Sequence, residues 1–302
     1  MNITILEKWA NTFISMILEA LPFILIGALV SAIIQMYISE ELVKRILPKN
    51  KFISMLFAAL IGVFIPICEC AIVTIAKSLI KKGVPIGVAI VFMLSVPIVN
   101  PVVILSTFYA FSGIKVALIR VLGGIVCAIV IGSLMDILST KNKDIIKNNN
   151  NYDIMCDCGC VATNYFYNKS KIRLCLEHAN KEFSNILKYY ILGSFLSSSF
   201  IVMVDKDMLN IMSDGKYIPI IIMMILSFLL SLCSEADAFI ARGFLNHFGL
   251  PATSAFLILG PMLDLKNSII IGSYFKKGFV FKLIILIPSI VLVFSIALSI
   301  II

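Results

Sequence analysis

The sequence predicts an all-α, polytopic transmembrane protein. Its 302 residues are 60% hydrophobic and only 14% charged, and its mean hydropathy is +1.05. Such a composition fits a bilayer, where roughly 20 consecutive apolar residues span the hydrocarbon core. Two further observations point the same way: long apolar segments alternate with short polar turns, and one motif occurs twice. A repeated motif in two apolar halves is typical of a transporter with its site between the repeats.

Ten apolar segments follow one another along the chain. They lie at residues 9–38, 52–67, 71–80, 85–111, 114–138, 184–204, 217–233, 236–246, 250–275 and 279–302. The third and eighth are too short to span a bilayer at about 1.5 Å per residue. We therefore expect these two to be half-helices that fold back beside the segments preceding them. The first segment is expected to be a retained helix because it is too long for a signal-peptide core.

One motif occurs in both halves. Residues 68–77 read CECAIVTIAK, and residues 233–242 read CSEADAFIAR. Each copy continues through a Gly-x-Pro turn to a proline that is followed, three residues later, by Asn100 or Asp264. This ordered match predicts an internal duplication; chance similarity between isoleucine- and leucine-rich helices is the alternative.

Lysine and arginine set the expected orientation. Basic residues cluster after the first helix, after the first half-helix, in the loop at 139–183 and near residue 277. Placing all these loops in the cytoplasm puts both termini outside and gives each half a net odd number of crossings. The sequence thus predicts a first repeat at 1–138, a cytoplasmic loop at 139–183 and an inverted second repeat at 184–302.

Three cysteines of the repeated motif are candidate ligands for a soft ion. Cys68, Cys70 and Cys233 would converge if the two motif copies met near the middle of the membrane. Thiolates select Cu(I), Zn(II) or the similar trivalent arsenic, and a helix beginning near residue 71 would favour an anion at its N-terminus. The alternative is that these cysteines are small, buried, inert residues.

Acidic residues inside apolar segments are candidate solute ligands or proton carriers. A lone carboxylate in hydrocarbon is costly and usually faces a cavity, a partner or a proton path. Glu69 and Glu235 are expected to bind solute and exchange protons for it, unless they form structural ion pairs with Lys77 or Arg242. Glu19, in the first helix, is either a further proton relay or a buried structural partner.

Three more polar residues are expected to line the same substrate site. Asp237 is the second acid of the second motif copy. Asn100 and Asp264 follow helix-interrupting prolines, where unpaired carbonyls are available as ligands. Arg120 and Lys266, in contrast, are expected to extend to the membrane interface.

The polar loop and the start of the next helix hold a candidate metal cluster. Its members are Cys156, Cys158, Cys160, Cys175 and His178. Reduced thiols at the cytoplasmic face could capture a soft ion and pass it inward. The spacing is not that of a C-x-x-C zinc knuckle, and a polar loop whose thiols are merely reduced is the alternative.

The chain resembles a bacterial family of predicted permeases. The resemblance is carried by residues 66–70, 83–85, 97–101, 232–239 and 259–266. The same superfamily includes the organoarsenical efflux permeases and predicted copper or zinc efflux permeases. Membership implies a polytopic permease of the cytoplasmic membrane. Arsenical-exporting relatives tend to have Cys-Ser-Cys-Gly at the first motif, whereas this chain resembles the Cys-Glu-Cys branch.

We therefore expect a multi-pass cell-membrane permease, not an enzyme, that exports a soft metal or metalloid species by secondary transport. The sequence has no Walker A pattern, so energy would come from an ion gradient, the solute's own gradient or a separate protein. The alternatives are a permease for another small solute with structural thiols, a non-transporting membrane subunit and a thiol oxidoreductase. The expected partners are the lipid bilayer and a small inorganic or organometalloid solute, with no cofactor and no nucleic acid; a partner protein is left open.

Overall fold

The computed structural model describes residues 3–37, 48, 50–63, 69–139, 145–146, 171–203, 215 and 217–301. These residues form eleven helices and no β-strand, apart from an isolated bridge between Ile146 and Phe275. The predicted all-helical fold is confirmed.

Five of the described helices have 25 or more residues, and the other six have between 10 and 14. They are α1 (Ile3–Tyr37), α2 (Lys51–Ile61), α3 (Glu69–Lys81), α4 (Ile86–Val99), α5 (Pro101–Phe111), α6 (Ile114–Ser139), α7 (Lys171–Met203), α8 (Ile218–Leu230), α9 (Asp237–Met262), α10 (Leu265–Tyr274) and α11 (Lys277–Ile301). Helix α9 is broken at Gly249, whose φ of 74° and ψ of 173° are not helical.

Four described segments are long and apolar enough to cross a membrane. They are Leu6–Ile33, Ile114–Ser139, His247–Tyr274 and Lys277–Ile301. Helices α4 and α5 form a fifth candidate span that is bent by 42°. The described part of the chain is therefore that of a multi-pass membrane protein.

The two predicted half-helices correspond in position to α3 and to the part of α9 before Gly249. The prediction that α3 folds back beside the preceding α2 is wrong, because α3 packs against α1 and α4 instead. Helix α3 has 13 residues, or about 20 Å at 1.5 Å per residue, which is less than the roughly 30 Å hydrocarbon core. The segments at 85–111 and 250–275, taken from sequence as single apolar runs, are each divided into two helices. Their prolines favour these breaks because proline cannot donate a helical hydrogen bond.

Helices α1 and α7 pack along each other. Trp9 Nε1 donates a hydrogen bond to Ser199 Oγ at 3.1 Å. The Tyr190 hydroxyl donates to the Met16 carbonyl at 2.9 Å. Because the contacts pair the start of α1 with the end of α7, the two helices run antiparallel.

Helices α6 and α11 also run in opposite directions. Gly123 of α6 lies against Phe294 in the second half of α11. At the other end of the pair, Lys282 Nζ near the start of α11 donates to the Leu138 carbonyl at 3.1 Å. The end of α6 and the start of α11 therefore lie at the same end of the bundle.

Two glycines allow short helices to approach long ones closely. A Cβ atom at Gly27 of α1 would overlap the Cβ of Ala71 in α3. A Cβ atom at Gly193 of α7 would lie 2.8 Å from the Cα of Lys266 in α10. Small residues are characteristic of such close helix contacts in membranes. The backbones of α1 and α3, and those of α7 and α10, thus lie too close together at these glycines for a larger side chain to fit between them.

Gly27→Ala and Gly193→Ala are expected to lower the thermal midpoint of the purified protein in detergent. Overpacking of this kind costs about 1–3 kcal/mol. Gly243→Ala is the matched control, because a Cβ at this helical position meets nothing within 4 Å and alanine favours helix. A parental midpoint for Gly27→Ala would contradict the close approach of α1 and α3.

Candidate functional site

The two motif copies meet at Glu69 and Ser234. Glu69 lies in the first turn of α3 and is only 2% exposed. The Ser234 hydroxyl, also buried, donates a hydrogen bond to Glu69 Oε2. The two residues are 165 positions apart, which is the separation of Cys68 and Cys233 in the aligned motifs. A buried carboxyl from one half therefore finds its donor at the equivalent position of the other half.

A buried ion pair holds the N-terminus of α9 beside that contact. Arg120 of α6 is 1% exposed, and Asp237 is also buried. Arg120 Nη1 donates to Asp237 Oδ1 at 2.9 Å and Nη2 donates to Oδ2 at 2.7 Å. The guanidinium also donates to Thr107 Oγ1 at 2.8 Å and to the Ser234 carbonyl at 3.3 Å. This bidentate geometry fixes α5, α6 and the start of α9 relative to one another.

The prediction that Arg120 and Lys266 extend to the membrane interface is wrong. Arg120 makes the buried pair just described, and Lys266 is 2% exposed with its Nζ 5.3 Å from the centroid of the Tyr190 ring. A cationic side chain in hydrocarbon either reaches water or finds a buried partner. Here the partners come from helices far away in sequence, so the sequence pattern around each cation did not reveal them.

The second motif copy places a thiol against a carboxyl. Cys233 Sγ donates to Glu235 Oε2 at 3.3 Å, and both residues are partly buried. The Cys233 carbonyl accepts from the N–H groups of Ala236 and Asp237 at 2.9 and 3.0 Å, which closes the turn entering α9. The turn therefore offers one soft and one hard ligand side by side, next to the buried Glu69.

The three residues predicted to carry protons lie near one another. Glu19 is an exposed residue of α1. Glu19 and Glu69 both lie close enough to Glu235 for their carboxylates to repel it. A cation bound among these acids would offset their mutual repulsion.

The basic residues of the two motif copies face aromatic rings. Lys77 Nζ lies 4.4 Å from the centroid of the Tyr274 ring. The Arg242 guanidinium carbon lies 6.0 Å from the centroid of the Phe111 ring. In each case the cation comes from one half of the chain and the ring from the other, at distances typical of cation–π contacts.

Asn100 and Asp264 occupy equivalent positions at helix breaks. Asn100 Oδ1 accepts from the Val102 N–H at 3.0 Å and caps α5. Asp264 Oδ1 accepts from the Asn267 N–H at 2.6 Å and caps α10. Each side chain satisfies a donor that the helix N-terminus leaves without an intrahelical partner.

Several predicted ligands lie outside the described residues. They are Cys68, Cys156, Cys158 and Cys160. The backbone of Cys70 lies in α3, but its side chain is not among those described. Among the described side chains, no group of three His, Cys, Asp or Glu is placed to hold a metal ion. Most of the thiols on which the metal prediction depends are not among the described side chains.

Cys175 and His178 lie in the first turns of α7, before its apolar part. Partial burial and then the nearby Lys181 lower the pKa of His178 below its usual value, against the smaller effect of Glu177. The imidazole is therefore neutral at physiological pH, which is the form that binds metals.

Sequence reasoning missed Ser234 and Thr107. Ser234 could have been found, because it aligns with Glu69 once the motif copies are superimposed. Thr107 lacks any such signal, since a lone threonine in an apolar helix is common and its hydroxyl often bonds within the helix. Here its oxygen also accepts from Arg120.

Comparison with known proteins gives full-length similarities. A family model described as predicted permease matches residues 5–300. The UPF0718 protein YcgR of Bacillus subtilis (strain 168) is 40% identical over 284 residues, covering 93% of this chain and 94% of the relative. A protein of Streptococcus mutans serotype c, named "Putative two-component membrane permease complex subunit", is 38% identical over 275 residues, covering 90% and 88%. No solved structure matches this chain at a significant level.

Arg120→Met is expected to destabilise the protein strongly because it leaves the buried Asp237 carboxyl without its partner. Loss of one partner of a buried pair costs about 3–5 kcal/mol. The double variant Arg120→Met/Asp237→Leu should recover most of that loss, since no uncompensated charge remains. The measurement is unfolding of the purified protein in mixed detergent micelles.

Lys51→Met is the control for this comparison. Lys51 forms a 2.8 Å ion pair with Asp136, but its side chain is 66% exposed, so solvent screens the interaction and little change is expected. A double variant no more stable than Arg120→Met would argue against the ion pair as the origin of the loss.

Proposed function

We propose a transport function from the premise that this chain belongs to the predicted permease family. It is a multi-pass membrane permease by family and by its apolar helices. The solute that we propose is a soft metal or metalloid species, exported by secondary transport through a site between the two motif copies.

The hydrogen bond between Ser234 and Glu69 carries this proposal. Cys233 is adjacent in sequence to Ser234, and Cys68 and Cys70 flank Glu69. All three motif cysteines are therefore one residue away from a point where the two halves touch. Thiolates beside carboxylates suit Cu(I), Zn(II) or trivalent arsenic. Such a ligand set binds these species by losing protons.

Proton exchange at Glu69 and Glu235 is the coupling that we propose for the solute. Glu69 is buried and Glu235 is partly buried, and a charged carboxylate without a partner is costly in such a place, so a proton or another cation is expected to neutralise each of them. A bound cation would replace those protons, because it stabilises the charged form of both acids. The solute gradient and the proton gradient would then be linked through one group of side chains.

Reciprocal contacts support the inverted repeat that the charge distribution predicts. Two-fold symmetry requires that if position i of one half contacts position j of the other, the equivalent of j contacts the equivalent of i. Lys77 contacts Tyr274, and Arg242 contacts Phe111. The basic residues are equivalent in the motif alignment, and by the alignment of Asn100 with Asp264 the rings differ from equivalence by one position. The antiparallel packing of α6 and α11 is in keeping with the same arrangement.

A second candidate function is transport as one subunit of a complex. The relative from Streptococcus mutans carries a name that describes a subunit of a two-component membrane permease complex. By that analogy this chain would need a second protein for flux or for its energy. Flux through the purified chain, measured without a partner protein, separates transport by this chain alone from transport as one subunit of a complex.

Flux should be measured in proteoliposomes that contain this chain alone, with Cu(I), Zn(II), arsenite and methylarsenite as solutes. We expect one of these to move, and Glu69→Gln and Cys233→Ser to lower its rate by about tenfold or more, the factor that 1.4 kcal/mol in the barrier gives. Cys127→Ala is the control, because Cys127 is buried in α6, outside both motif copies. Flux that needs an added membrane partner would favour the subunit function. Parental rates in both motif variants would refute the site.

Cys158→Ser tests the predicted capture role of the loop, whose cysteines lie outside the described residues. We expect the apparent KM for the transported solute to rise more than the maximal rate falls, since the loop would act before the solute reaches the membrane site. An unchanged KM would mean that the loop thiols do not take part.

A further inference from the structure

We propose that the break between α9 and α10 binds a sodium ion. Its role in coupling rests on the transport function proposed above, but the binding itself can be measured without any transported solute. The site consists of oxygen ligands from Asp264 and Asn267, from the last turn of α9 and from the facing surface of α7.

Asp264 and Asn267 each bury an oxygen atom that makes no hydrogen bond of standard geometry. Asp264 is 0% exposed and Asn267 is 2% exposed. One carboxylate oxygen of Asp264 accepts from the Asn267 N–H. The other, Oδ2, makes no hydrogen bond of standard geometry, although the Ser231 hydroxyl lies beside the carboxyl, and the amide oxygen of Asn267 has no partner among the described residues. Unsatisfied buried acceptors are rare in proteins and often indicate an ion or an ordered water.

The end of α9 supplies further acceptors at the same place. Helix α9 ends at Met262, and the Leu263 N–H donates to the Leu259 carbonyl at 2.8 Å. The last carbonyls of a helix have no intrahelical donors and form its negative end. Unwound backbone and half-helix C-termini are the usual cation ligands in transporters with broken helices.

The Ser231 hydroxyl lies beside the same carboxyl. Its oxygen accepts from the Lys266 N–H at 3.1 Å, and the side chain faces Asp264. Lys266 directs its ammonium group toward the ring of Tyr190. A cation at the break would therefore bind beside the positive charge of Lys266, among polar atoms that include Ser231 Oγ.

Helix α7 contacts α10 through Tyr190 and Gly193, and two buried serines follow on the same helical face. Tyr190, Gly193, Ser194 and Ser197 are spaced as i, i+3, i+4 and i+7, which places them on one face of a helix. Tyr190 and Gly193 both lie against Lys266. The hydroxyl oxygens of Ser194 and Ser197 are fully buried and have no partner among the described residues.

The direction of packing brings Ser197 toward the break. Gly193 lies against Lys266, and Glu182 lies beside Tyr274 at the other end of α10. Helices α7 and α10 are therefore antiparallel. Ser197 is one turn beyond Gly193, so it extends past Lys266 in the direction of Asp264.

The ligands select a hard monovalent cation. All of them are oxygens, which excludes the soft ions expected at the motif cysteines. Asp264 is the one carboxylate among the proposed ligands, although Glu69 also acts on it electrostatically. Divalent ions usually bind through more acidic ligands, and the nearby Lys266 disfavours a second positive charge. A proton on Asp264 could satisfy at most one acceptor, whereas a sodium ion could satisfy Asp264, Asn267 and the serine hydroxyls together.

Thermal unfolding of the purified protein in detergent tests the site. Sodium chloride replaces choline chloride at constant ionic strength, and no metal or metalloid is present. We expect the midpoint to rise with sodium and to saturate, as binding to the native state requires. Potassium should give a much smaller rise. Asp264→Asn should abolish the rise while keeping the helix cap, since asparagine caps as well as aspartate.

Ser197→Ala and Ser295→Ala form a matched pair. Both serines are fully buried with an unpartnered hydroxyl, but Ser295 lies in α11. Ser197→Ala should raise the half-saturating sodium concentration about tenfold, the effect of 1.4 kcal/mol in affinity, and Ser295→Ala should keep the parental value. If Asp264→Asn does not fold, the serine pair decides the outcome.

Three results would overturn the proposal. They are a parental midpoint that does not respond to sodium, a parental response in Asp264→Asn or Ser197→Ala, and a midpoint that depends on pH but not on sodium. A sodium response in the absence of flux of any tested solute would support the site and count against the proposed function. With a transported solute, an imposed sodium gradient should accelerate flux in the parent but not in Asp264→Asn.

Discussion

The ion pair between Arg120 and Asp237 is the interaction on which the centre of this permease depends. A charged side chain inside a bilayer must be satisfied without water, and the bidentate contact does this for two charges at once. It also fixes the start of α9, and with it the turn that carries Cys233 and presents Ser234 to Glu69. The central polar residues are thus positioned by one guanidinium that draws on three helices.

Broken helices give the second constraint. In hydrocarbon every backbone group needs a partner, so irregular backbone occurs only where protein covers it or where it lines a cavity. Asn100 and Asp264 meet this demand by capping α5 and α10, and glycines 27 and 193 allow the short helices to be covered closely. At the break between α9 and α10, side-chain oxygens of Asp264 and Asn267 remain without a hydrogen bond of standard geometry after capping. The two breaks therefore differ in chemistry, although both follow a Pro-x-x-Asn/Asp pattern.

Local patterns predicted more of this protein than distant pairings did. Apolar runs and short segments predicted most of the helices, and the prolines marked the places where two long apolar runs are interrupted, because these features depend on neighbouring residues. The repeated motif predicted that its two copies converge, and Glu69 lies where they meet. Arg120 and Lys266 were assigned to the membrane interface. The local sequence around a basic residue in an apolar helix does not show whether its charge is satisfied by water or by a buried acid. The Arg120 partner is 117 positions away, beyond the reach of any periodicity argument.

The meeting of Glu69 with Ser234 has a consequence for the history of the chain. Under the proposed duplication, a residue close to a two-fold axis faces its own counterpart, so identical halves would have set glutamate against glutamate or serine against serine. Two carboxylates in that position repel, and two hydroxyls offer no charge for an ion. Fusing the halves into one polypeptide removes that restriction, because each copy can then mutate independently. A carboxylate paired with a hydroxyl at this position is therefore possible in the fused chain but not in a dimer of identical ancestors.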